Sequence, residues 1–138
     1  MSHVLIDRLI TELGYTEVSL DNHDEFVGTP GLNVLFFPGD PKTVKDATDV
    51  AVVLPELMGA FAGKLNAGVV TDTFGDGKTL KHKYGFTHYP ALVFVREGGY
   101  VGAISRIRNW HEYLTTIGEL LVAEPRRPPS IGIEVASA

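Results

Sequence analysis

The stretch "YPALVFVREGGYVGAISRI", residues 89–107, is the clearest local signal in the chain. Two runs of apolar, β-branched and aromatic residues flank Glu97-Gly98-Gly99, which predicts an antiparallel β-hairpin. Working outward, "NWHEYLTTIGELLVAE" (109–124) offers Asn109 as a cap and sets Trp110, Tyr113, Leu114, Ile117, Leu120 and Leu121 at the spacing of one buried helical face. Upstream, "LNVLFF" (32–37) is bounded by Gly31 and Pro38-Gly39, and its unbroken hydrophobicity suits a central strand covered on both faces.

The rest of the chain alternates. Val4, Leu5, Leu9 and Leu13 predict an amphipathic helix over residues 2–13, with Ser2 as its cap and Gly14 as its end. "YTEVSL" (15–20) reads as a short strand, and "DNHDEFVG" (21–28) as a short helix capped by Asp21. From Thr43 or Thr48 a helix runs through "VAVVLPELMGAFAG" (50–63), with Pro55 expected to kink it near Val52. "LNAGVVTD" (65–72) predicts another strand, and "DGKTLKHKYG" (76–85) a short helix capped by Asp76 and ended by Gly85. The strand ending in "SRI" would place Arg106 and Arg108 on one face. "PRRPPSIGIEVASA" has three prolines and no periodicity. This order predicts an α/β domain over residues 1–123, a central mixed sheet with helices on both faces and an extra N-terminal helix, followed by a flexible tail over 124–138.

Composition narrows the function. At 138 residues one core can be buried without a staple. Twelve Lys and Arg against 17 Asp and Glu give a net charge of −5, which disfavours nucleic acid and suits a cationic partner. With no cysteine in the chain, disulfides, thiolate nucleophiles and Cys-ligated metals are excluded. Asp7, Arg8 and Glu12 interrupt the apolar pattern of the first helix, so it is no signal peptide, and no segment has the run of apolar residues a spanning helix needs. A cytoplasmic protein without membrane insertion is the expectation.

Few motifs carry chemistry. The histidines His3, His23, His82, His88 and His111 are scattered without ligand spacing, so neither a metal nor another cofactor is expected. "FGDGKTLKH" lacks the spacing of a phosphate loop. The turn "PGDPKTVKDATD" (38–49) is different: Asp40, Asp46, Asp49 and, just beyond it, Glu56 could hold paired arginines in bidentate, charge-assisted contacts. The plainer alternative is that Asp46 or Asp49 caps the helix and Asp40 shapes the turn. The many apolar residues of the Pro55 helix likewise fit either two-sided burial or an exposed apolar groove.

The element order, with Pro55 inside the helix after the central strand and "THYPALVFVREGGYVGAI" leading to the last helix, resembles thioredoxin. Pro90 then stands at that family's cis proline, and Ala47-Thr48-Asp49-Val50 at its Cys-Gly-Pro-Cys. Leu35 takes the place of its buried acid. "VLFFPGDP", "DVAVVLPEL" and "YGFTHYPALVFVREGGYVGAISRIRNW" together resemble the HyaE/HupG family of hydrogenase expression proteins, the thioredoxin-like group without cysteines. That resemblance implies a non-catalytic assembly chaperone for the small subunit of a nickel–iron uptake hydrogenase, binding the precursor or its twin-arginine signal peptide before export and meeting other maturation proteins. On this reading the partner site comprises Asp40, Asp46, Asp49 and Glu56 for charge, with Val50 and Tyr89 as apolar neighbours. The rivals are a scaffold docking through its tail and an enzyme using His88 with nearby carboxylates.

Overall fold

The computed structural model of the chain describes residues 3–129. Ten elements follow in order: α1 (Val4–Thr11), β1 (Thr16–Glu17), α2 (His23–Val27), β2 (Leu32–Phe37), α3 (Ala47–Ala60), β3 (Leu65–Val69), α4 (Asp76–Tyr84), β4 (Ala91–Arg96), β5 (Gly99–Ser105) and α5 (Trp110–Leu120). The strands form one sheet in the order β1-β3-β2-β4-β5, with β3 parallel to β1 and β2, and β4 antiparallel to β2 and β5. This is the expected thioredoxin-like mixed sheet.

The sheet divides two apolar layers. Successive side chains of a strand point to opposite faces, so Leu32, Val34 and Phe36 of β2 join Leu92 and Phe94 of β4 under α1, α3 and α5. Leu35 and Phe37 join Ala91, Val93 and Val95 under α2 and α4. All six residues of β2 are buried, which explains the absence of polar alternation in its sequence. Asn33, its only polar member, is fully paired: its amide donates to the carbonyls of Val27 and Thr29 at 3.1 and 2.9 Å and its oxygen accepts from Asn66.

The β4–β5 hairpin closes on Glu97 and Gly98, both with positive φ, as a two-residue loop of this twist requires. A bulge between Phe94 and Val95 leaves Val101 unpaired opposite. Gly102 faces α5 there, where a Cβ would lie 2.7 Å from Leu120 Cδ2, so the close approach of helix to strand depends on its missing side chain.

Several ends differ from the sequence expectation. α1 is capped by His3, whose Nδ1 accepts from the Leu5 amide at 3.1 Å; Ser2 lies outside the described residues. Asn22, one residue after Asp21, is the cap position of α2, and its side chain instead accepts from the Ser19 amide. Asp76 is the first residue of α4 and reaches back to the Leu20 amide, while Asp72 accepts from the amides of Gly75 and Asp76. At α1 and α4 a neighbouring polar side chain reaches the first turn in place of the expected one, and at α2 no side chain does, so composition alone leaves the choice open.

Residues 124–129, assigned to the tail, touch the body at several points. The Arg126 amide donates to the Tyr100 carbonyl at 2.6 Å and its guanidinium lies 5.9 Å from the Tyr100 ring centre. The Pro129 carbonyl sits against Gly85, whose φ is +73. The rest of the tail lies outside the described residues.

Candidate functional site

Three chain segments meet at one end of the sheet. Phe37, the last residue of β2, pairs with Ala91, the first of β4, and Ala91 pairs with Ser105, the last of β5. The turn 38–46, the loop 87–90 and the loop 106–109 therefore leave the sheet side by side. Tyr89–Pro90 is a cis peptide, at the bond where the sequence expects one.

The first turn is tightly built. The Asp40 carbonyl accepts from the amides of Thr43 and Val44, and its carboxylate from the Lys42 amide at 3.0 Å. Gly39 has φ +78, and a Cβ on it would lie 2.7 Å from Val44 Cγ2 and 2.8 Å from Tyr89 Cγ. The turn is thus seated directly on the Tyr89 ring. Phe86 also meets that ring edge-on at 5.7 Å, and Lys81 Nζ lies 5.0 Å from its centre. Burial raises the Tyr89 hydroxyl pKa, so the group stays neutral at physiological pH.

α3 starts where the turn ends. Asp46 occupies its cap position and Asp49 its first turn, yet Asp46 makes no side-chain cap bond. Among the described residues neither carboxylate has a hydrogen-bond or ion-pair partner, although both benefit from the positive end of the helix. Asp40 takes the turn-shaping role; Asp49 is exposed and Asp46 half-buried.

Not every expected residue joins this group. Val50 is 1% exposed and belongs to the core with Leu54 and Leu57, so it offers no surface to a partner. Val52, 55% exposed, is the large apolar side chain that α3 presents to solvent. One helical face carries Asp49, Val52 and Glu56, at the i, i+3, i+7 spacing. Glu56 lies about 10 Å further along the axis than Asp49, lining a small cleft with Leu5, Arg8 and Leu13. α3 therefore buries one face and exposes the other, where the sequence left two-sided burial open. His88 is exposed, with Nδ1 3.0 Å from Thr87 Oγ1, and no carboxylate bonds to it among the described residues.

The third loop was missed. β5 ends at Ser105, so Arg106 and Arg108 do not share a strand face. Arg106 turns the chain with φ +65, and its amide donates to the Pro90 carbonyl at 2.6 Å. The Arg108 amide donates to the Tyr113 hydroxyl at 3.1 Å. Burial raises the Tyr113 pKa; the Arg108 contact and charge oppose this, and the nearby charges of Asp46 and Glu112 add to it. Trp110, placed in the buried stripe of α5 by its spacing, is 45% exposed because it opens the first turn of the helix at the sheet's end. Asn109 does cap that turn, accepting from the Glu112 amide at 2.8 Å.

No group of three or more His, Asp or Glu able to hold a metal occurs among the described residues. No helix among them is long and apolar enough to cross a membrane. Fold and site define a thioredoxin-like protein in which carboxylates, not thiols, stand at the start of the helix after β2, and the turn leading into that helix packs on Tyr89, next to the cis proline. The chain belongs to the HyaE family: residues 5–113 match the family described as Hydrogenase-1 expression protein HyaE. It is 43% identical over 136 residues to the hydrogenase expression/formation protein HoxO of Azotobacter vinelandii, covering 96% of this chain and 88% of that one. Hydrogenase expression/formation protein HupG of Bradyrhizobium diazoefficiens is 38% identical over 116 residues, covering 81% and 77%. The crystal structure of the hydrogenase expression/formation protein HupG of Rhodopseudomonas palustris CGA009 superposes with a TM-score of 0.55 at 36% identity, over 77% of this chain and 94% of that one.

Proposed function

We propose that this protein acts in hydrogenase maturation as a cytoplasmic, non-catalytic assembly chaperone that holds the small-subunit precursor by its twin-arginine signal peptide before export. The names of its relatives support the process. The peptide is supported by one observation above all: Asp46 and Asp49 stand at the start of α3 with no bonding partner among the described residues.

Guanidinium groups match such carboxylates because each can present two parallel N–H donors to one acid. With no cysteine in the chain, the surface cannot perform thiol exchange, and its carboxylates support recognition of cations. Asp40 holds the turn in shape, and Tyr89 forms its floor. Glu56 extends the negative surface along α3.

The test is the double charge reversal Asp46→Lys with Asp49→Lys, titrated with the signal peptide at low and moderate salt. Binding should weaken about tenfold or more, and the salt dependence seen with the unaltered protein should largely disappear. Unchanged affinity with unchanged salt dependence would remove the helix start as the site.

A further inference from the structure

The acidic turn accounts for the cations of a peptide and leaves its apolar part without a seat. The loop between β5 and α5 offers one. Ile107 and Trp110 are exposed by 36% and 45%; Ile107 lies in the loop that leaves the sheet beside the strand opening after the cis proline, and Trp110 opens α5 directly after that loop.

The backbone beneath them is firmly held. The Arg106 amide bonds to Pro90 and the Arg108 amide to the Tyr113 hydroxyl. Arg108 Nε donates to the Ser105 carbonyl at 2.9 Å, folding that cation back onto the loop, and Asn109 caps the helix. Arg106 adopts a left-handed φ of +65 that a residue with a Cβ takes at a cost in strain, which the Pro90 bond maintains. A loop so restrained, with Ile107 on it and Trp110 at the helix start that follows, both partly exposed, is pre-organised to receive an apolar group with little further ordering.

The turn that carries Asp46 leaves the same end of the sheet as this loop. The Tyr113 hydroxyl accepts from the loop's Arg108 amide, and Trp110 is three residues before Tyr113 on α5, one helical turn away. We infer that Ile107 and Trp110 form the apolar half of the site, seating large apolar side chains that follow paired cations bound at Asp46 and Asp49. This rests on the proposed recognition of a cationic peptide and adds the residues that read what comes after the cations.

Trp110 is the only tryptophan in the chain, so its emission reports on this loop alone. The experiment titrates the full chain with a synthetic peptide of two adjacent arginines followed by leucines and phenylalanine, and with a counterpart in which those apolar residues are serine. Calorimetry and Trp110 emission are followed together. The first peptide should shift the emission to the blue and shield the indole from acrylamide; the second should bind more weakly, without the shift. Ile107→Ser should weaken the first peptide about tenfold and bring it close to the second, with its melting temperature checked against the unaltered protein. Binding of the first peptide with Trp110 emission unaltered and Ile107→Ser without effect would overturn the apolar seat while leaving the acidic one. Failure of both peptides to bind would overturn the recognition reading, and the seat with it.

Discussion

Gly39 shows how much the site depends on single atoms. Its φ of +78 is a region that costs a residue with a Cβ roughly 1–2 kcal/mol. The missing Cβ is also what lets the turn rest on Tyr89 and Val44. Gly39→Ala should lower stability by about 2 kcal/mol or more, read as a shift in the urea midpoint. It should also weaken peptide binding beyond that of a control destabilised equally elsewhere, because the turn must lift from Tyr89. A midpoint unchanged by the substitution would mean that the turn is not seated as described. At this scale the sequence is ambiguous by nature. Asp46 could cap or recognise, and only the absence of a cap bond separates the two. Val50 and Val52 are alike in chemistry, and two residues of helical rotation put one in the core and the other in solvent.

Elements were more legible than the residues at their ends. All ten are expected from periodicity and turn chemistry, because β2, β4 and α5 each carry a pattern that only one kind of packing satisfies. Their limits depend on contacts from distant parts of the chain. β5 stops at Ser105 because the next amide turns to Pro90, and Trp110 lies on the expected face of α5 but at an end only partly covered. The other end of α5 depends on Arg96. Its guanidinium donates to the carbonyls of Ala123, Leu120 and Leu121, the last at 2.6 Å, so β4 closes a helix whose last carbonyls have no intrahelical partner. Arg96→Met keeps much of the packing and removes these bonds. It should cost about 2 kcal/mol and increase hydrogen exchange in the last turn of α5 more than elsewhere. Uniform exchange across the helix would argue against this tie.

Over the whole molecule, burial raises the hydroxyl pKa of all five tyrosines, Tyr15, Tyr84, Tyr89, Tyr100 and Tyr113. Tyr84 is raised most clearly, by burial and then by the Asp24 charge. Its hydroxyl lies 2.5 Å from His23 Nε2, and His23 Nδ1 lies 2.9 Å from Asp24, so with Nδ1–H donating to the carboxylate, Nε2 accepts from the tyrosine. In the unfolded chain these phenols release protons near pH 10. Above that pH the folded state binds more protons than the unfolded one, so this contribution is full below about pH 10 and is lost as pH rises further. The urea midpoint should therefore fall steeply in alkali, and Tyr84→Phe, though less stable at neutral pH, should show a shallower fall. An equal slope in both would contradict the burial of Tyr84.

The fold reads from sequence because one pattern specifies each layer of the sheet. The site reads only in part because it is assembled from three loops that are far apart in the chain. The central claim, that the acidic start of α3 recognises paired arginines, is tested most directly by calorimetric titration of the protein with the hydrogenase small-subunit signal peptide and with a version carrying lysines in place of both arginines. Lysine keeps the charge and loses the two-pronged fit to a carboxylate. Binding of the first peptide and clearly weaker binding of the second is the predicted result; equal binding of the two, or none of either, would contradict it.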